Sequence, residues 1–232
     1  MPVIYSLSIF VFLIAVLAAL RSRLVYELSG TSLLLFGSTR PGITLYSIFF
    51  LPGTIIHELS HWVVAEILQV RTGEITIFPD IEAKNQTQRL GSVATERSDP
   101  LRGFLIGLAP FVTGLGILVV LGKLLADGWG GNFPLWQLGL IIYGIIVVGN
   151  SMMISKEDRR TWPIIIILLL LIIIIVYRLG YLPSPGIISS LTSVLQILNL
   201  ILGVTAGLNL VMIGGSYGIR RLIEKLTKRR IV

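Results

Sequence analysis

The sequence predicts an all-α polytopic membrane protein, with about six transmembrane helices and a small β-hairpin at the membrane edge between the second and third. Three observations carry this expectation. Of the 232 residues, 54% are hydrophobic and only 13% charged, with a mean hydropathy of +0.87, a balance foreign to water-soluble domains. The apolar residues gather into runs of about 20, the length a helix needs to cross hydrocarbon. Cysteine is absent, which excludes a disulfide framework and any thiolate metal site. The length fits a single membrane-embedded domain, with a core over 43–160, accessory helices over 1–42 and 161–217, and a basic tail over 218–232.

The elements follow in order. Val3–Leu20 lacks the basic leading segment and small-residue cleavage site of a signal peptide, so it reads as the first span. Leu33–Phe36 is too short to cross and is expected at the interface or as a re-entrant piece. Ile43–Leu68 is the second span, Leu101–Leu121 the third, Trp136–Ile154 the fourth and Trp162–Tyr177 the fifth. The last apolar region, Ile187–Tyr217, exceeds one span and is expected to tilt or break at its glycines. Between the second and third spans, Arg71–Asp80 and Arg89–Arg97 have alternating or β-branched character, which predicts the hairpin. Asn85-Gln86-Thr87 within it matches a glycosylation sequon and reads as a plain loop.

Orientation follows from where Lys and Arg fall. Six alternating crossings place fourteen of them, including the six between Arg220 and Arg230, on the side of the amino terminus and five on the other. Both termini are therefore expected in the cytoplasm, with only Arg21 and Arg23 arguing otherwise. Much of the net charge of +7 is this asymmetry plus the tail, which suits anionic lipid headgroups. No module for nucleic acid accompanies it. Lack of cysteine and of a targeting segment points to a prokaryotic inner membrane.

Within the second span stands His57-Glu58-Leu59-Ser60-His61, which holds both histidines of the chain. Residues four apart share a helix face, so the two imidazoles can grip one ion. The adjacent glutamate can act on a water at that ion. Ionisable groups at membrane depth are costly, which favours a functional role over helix–helix hydrogen bonding. A catalytic zinc takes three protein ligands and keeps one position open. With no further histidine, the third must be Asp or Glu. Glu66 lies nine positions after His57, about 180° around the helix, and cannot reach. Asp80, Glu82 and Glu96 in the surface segment remain open, as does the cluster Asn150 to Asp158 after the fourth span.

These residues resemble the site-2 protease family of intramembrane zinc metalloproteases. Members carry H-E-x-x-H on one membrane helix and N-x-x-P-x-P-x-L-D-G on a later one. Asn150 and Asp158 have that separation, with Asp158 in the position of the third zinc ligand. Leu108-Ala109-Pro110-Phe111-Val112-Thr113 stands where members have A-G-P-x-x-N. The chain departs from the pattern at Met153 and Ser155 (prolines in the family), Arg159 (glycine) and Thr113 (asparagine), and has no inserted peptide-binding domain. The resemblance covers roughly residues 49–160. It implies one zinc held by His57, His61 and Asp158, Glu58 as general base and acid, and Asn150 and Thr113 as substrate or oxyanion contacts.

The function implied is hydrolysis of peptide bonds in membrane-spanning or membrane-adjacent segments of a protein substrate. Two other classes use the same residues differently. A membrane metal-binding or transport protein tolerates loss of Glu58, and an inactive relative acting as a helix-binding scaffold tolerates loss of Asp158. The polar stripe Thr192, Gln196, Asn199 with Asn209 reads as hydrogen bonds tying the last helix into the bundle. Substrate identity and oligomeric state have no signature in the sequence.

Overall fold

The computed structural model describes residues 2–76, 92–95, 99–129, 131–153, 158, 162–178, 180 and 184–228. In chain order these form α1 (Pro2–Phe36), α2 (Arg40–Ile67), β1 (Thr72–Thr76), β2 (Ser92–Thr95), α3 (Pro100–Trp129), α4 (Leu135–Ser151), α5 (Trp162–Arg178) and α6 (Pro185–Thr227). The fold is dominated by helices, and α1, α2, α3 and α6 are long and apolar enough to cross a membrane. At 17 residues each, α4 and α5 rise about 25 Å, short of a hydrocarbon core of about 30 Å. The strands pair antiparallel, Thr72 opposite Thr95 and Thr76 opposite Ser92. Asp80, Glu82, Glu96 and the sequon lie outside the described residues.

Helix ends are set by local chemistry. The Asp99 carboxylate accepts from the Leu101 and Arg102 amides at 3.1 and 3.0 Å, and Pro100 follows it, a standard start for α3. Ser184 and Pro185 start α6 in the same way. At the end of α2, Gln69 adopts a left-handed φ of 56°. Its amide donates to Glu66 O, and the Val70 amide to Ala65 O, closing a Schellman turn. Val70 then packs with Ala65 and Ile106 of α3, which pins the end of α2 to the start of α3.

The helix directions define the bundle. Antiparallel to α1, α2 packs so closely that a Cβ on Gly42 would meet Leu28 O at 2.5 Å and Ser32 Cβ at 2.8 Å. The small-residue contact brings the backbones together. α2 and α4 run parallel, with partners 94 residues apart at Tyr143–Phe49 and Ser151–His57. α4 descends antiparallel to α3: Leu138 meets Gly128, Gly144 meets Leu121 and Met152 meets Gly114. The track continues past the end of α4, where Asp158 lies against Gly107 and the Trp162 ring against Phe104. It spans 24 residues of α3, about 36 Å. The main core, around Leu17, Leu118, Ile145, Met152 and Leu202, lies where α1, α3, α4 and α6 meet.

α1 and α6 run parallel. Asn199 donates to Ser6 O at 2.8 Å and Arg220 to Glu27 at 2.6 Å, both pairs 193 residues apart. Two expectations are corrected here. Leu33–Phe36 is no separate piece but the last turn of α1. α6 runs unbroken for 43 residues through its glycines. Because parallel neighbours start at the same end, the start of α1 and the end of α6 lie at opposite ends of this pair. The helix persists through Arg23 and Glu27 because these charges are answered. Glu27, fully buried, takes Arg23 and Arg220 at 2.6 Å each, and Arg220 also takes Glu224 at 2.8 Å.

Candidate metal centre

His57 and His61 lie on one face of α2, as their spacing requires. The His57 Nδ1 is 2.7 Å from Ser151 O, and the His61 Nδ1 is 2.8 Å from Ile106 O. A carbonyl only accepts, so each Nδ1 carries the proton, and in the neutral ring each Nε2 presents a lone pair. Those two Nε2 atoms face each other at 3.3 Å. Asp158 closes the third side, Oδ1 3.3 Å from His61 Nε2 and Oδ2 3.9 Å from His57 Nε2. One ligand atom from each of the three residues lies within 4.8 Å of the others. With both protons committed to carbonyls, the close Nε2 pair has no hydrogen between its lone pairs. The three donors together could hold a metal ion. The side chains are 13%, 8% and 15% exposed, so the group is sheltered but not sealed.

The two carbonyls are free for reasons written in the local backbone. Ser151 is the last residue of α4, and the last four carbonyls of a helix lack intrahelical partners. Pro110 lies inside α3, has no N–H and leaves the carbonyl four residues earlier unbonded within the helix. That carbonyl belongs to Ile106, the one His61 uses. The A-P step of the Leu108–Thr113 element thus acts through the main chain.

Glycines let the parts approach. A Cβ on Gly53, one turn before His57, would meet Val147 Cγ1 and O at 2.7 Å, and Ser151 Oγ more closely still. One on Gly107 would strike the Asp158 carbonyl oxygen, with Asp158 C at 3.1 Å. A Cβ on Gly114 would strike Met152. Sequence reasoning missed these glycines and Pro110's role. The usable signals were Gly53 four residues before His57, and the small-residue spacing Gly103-x-x-x-Gly107.

The remaining candidates sort as follows. Glu58 is 6% exposed, beside His57 on the packed side of α2. Glu66 is exposed and accepts from Thr72 Oγ1 at 3.0 Å, away from the centre as its spacing demands. Asn150 is buried but spends its amide on Ile146 O of its own helix at 2.7 Å, and its Oδ1 has no hydrogen-bond partner among the described residues. Thr113 is exposed on α3, where Gly107, not Thr113, adjoins Asp158. Of the polar stripe, Asn199 does bridge α6 to α1, Thr192 and Asn209 bond within α6, and Gln196 is exposed. Comparison with protein-family models, curated proteins and solved structures finds no match to this chain.

Proposed function

We propose that this chain is an intramembrane zinc metalloprotease, hydrolysing peptide bonds in membrane-spanning or membrane-adjacent segments of other proteins. The observation that carries the reading is the pair of Nε2 lone pairs at 3.3 Å, closed by a carboxylate, on a helix apolar enough to lie in a bilayer. Zinc suits the spacing. Bonds of about 2.0–2.1 Å in a tetrahedron separate two ligand nitrogens by about 3.3–3.4 Å. Two imidazoles and one carboxylate are also a catalytic donor set, which leaves a position for water.

His57 and His61 would hold the ion from α2, and Asp158 from the strip of chain lying on α3. When bound, zinc supplies Lewis acidity toward a carbonyl oxygen and a nucleophile at neutral pH. Glu58 accepts the proton of the attacking water and delivers it to the leaving amine. The Ser151 and Ile106 carbonyls keep both rings in the tautomer that ligation needs. A helical substrate must unwind locally, since its own hydrogen bonds shield the scissile carbonyl. The β1–β2 pair, joined to the end of α2, offers a strand edge to the unwound segment.

The test is metal content of the detergent-purified protein together with cleavage of a membrane-anchored reporter. Wild type should carry about one zinc per chain, with loss in both Asp158→Ala and His57→Ala. Glu58→Gln should keep the metal and lose turnover. Retained function in Glu58→Gln would favour metal binding or transport without hydrolysis. Little metal in wild type supplied with zinc would sink the hydrolase reading and favour a helix-binding scaffold.

A further inference from the structure

α5 joins a segment whose beginning and end lie at the same end of the bundle. Trp162 packs on Phe104, in the second turn of α3, at a ring separation of 5.5 Å. Pro185, the first residue of α6, borders one surface depression with Pro2, the first helical residue of α1. α1 and α3 start at a common end, since each is antiparallel to α2: Gly42 sits on Ser32, and His61 on Ile106. This is also the end nearer the metal centre. Chain 162–185 therefore makes no net passage along the bundle. Nor is α5 long enough to reach the far end and return. Its 17 residues rise about 25 Å, against about 45 Å for the 30 residues of α3.

The sequence of α5, WPIIIILLLLIIIIVYR, is apolar on every side, so water is no resting place for it. Among the described residues only α3 packs against it, and Ile166, Ile167, Leu170, Leu171, Ile174 and Ile175 are exposed. Its one fitting neighbour is hydrocarbon. We propose that α5 is a lipid-facing segment confined to the leaflet at the metal-centre end, so that the chain crosses the bilayer five times and its carboxyl-terminal tail emerges opposite the amino terminus. The four long helices account for four crossings, and the track from Leu135 to Trp162 along α3 for the fifth.

Five crossings also revise the charge argument. Moving the six basic residues between Arg220 and Arg230 to the far face, and Arg178 to the metal-centre face, turns fourteen against five into nine against ten. The tail then joins Arg21, Arg23 and Arg40, and the positive-inside rule no longer selects a cytoplasmic face decisively.

The absence of cysteine makes the proposal directly testable. Single-cysteine variants Arg71→Cys, Arg178→Cys, Thr39→Cys and Lys225→Cys are reconstituted and treated from one face with a membrane-impermeant maleimide, with detergent exposing all sites as the total. The expected result pairs Arg178→Cys with Arg71→Cys on one face and Lys225→Cys with Thr39→Cys on the other. Labelling of Arg178→Cys with Thr39→Cys, or from neither face, overturns the placement of α5. Labelling of Lys225→Cys with Arg71→Cys overturns the five-crossing topology. Neither reading depends on metal or on cleavage.

Discussion

Replacing Pro110 by alanine should make α3 a better helix and the metal centre a worse one. Alanine removes a penalty of up to about 3 kcal/mol for proline in a helix interior. It also supplies the N–H that proline lacks, which would reach the Ile106 carbonyl four residues back. That carbonyl now accepts from His61 Nδ1 at 2.8 Å. Sharing it with the helix, and straightening α3 around it, weakens the contact that holds the His61 ring. Loss of a hydrogen-bond partner behind a metal ligand costs roughly 10- to 100-fold in metal affinity, about 1.4–2.7 kcal/mol. The assay is zinc titration against a competing chelator in detergent, run beside thermal unfolding of the metal-free protein. Gly116→Ala is the comparator, since it changes the same helix where a Cβ meets nothing within 4 Å. The expected outcome is opposite signs, with metal-free stability up and zinc affinity down only in Pro110→Ala. Unchanged affinity in Pro110→Ala would refute the claim that Ile106 O orients His61.

Other outcomes follow from the same geometry. Gly107→Ala pushes the Asp158 main chain away and should lower zinc affinity by roughly 10-fold or more by the same titration, since ligand distances tolerate only about 0.2 Å. Gly53→Val overpacks α2 against Val147 and should cost about 1–3 kcal/mol in thermal unfolding. Glu27→Ala strands Arg220 and should cost about 1–2 kcal/mol, less than the 3–5 of a fully dry pair because Arg220 lies near the bundle end. Adding Arg220→Met should recover part of that loss, and a strictly additive double variant would argue against the coupling. Asn150→Ala should keep about one zinc per chain in metal analysis, because its amide serves its own helix.

The helical class and the histidine pair are legible in the sequence because both are periodicities: apolar runs of about 20, and imidazoles at i and i+4. Asp158 is reachable only through its separation from Asn150, since nothing local marks a carboxylate near a helix end as a ligand. The acceptors that orient the histidines are hidden for another reason. They are main-chain carbonyls, which every residue carries, and only Pro110 and the end of α4 reveal that these two are free. Charge counting treats Arg21 and Arg23 as minor exceptions. Arg23 in fact belongs with Glu27 to the network that holds α6 parallel to α1, a pairing between residues some 190 positions apart. Local patterns carry no trace of such a contact.

The strip of chain bearing Asp158 has a consequence for biosynthesis. Both histidines are made about a hundred residues before the carboxylate that completes their group. At roughly 5–20 residues per second, the two-imidazole half stands alone for about 5–20 seconds. Only when the chain has run back along α3 to Gly107 does the third donor arrive. A nascent protein in this state offers a metal only two of the three donors, and the group is complete only once α1 to α4 have been made.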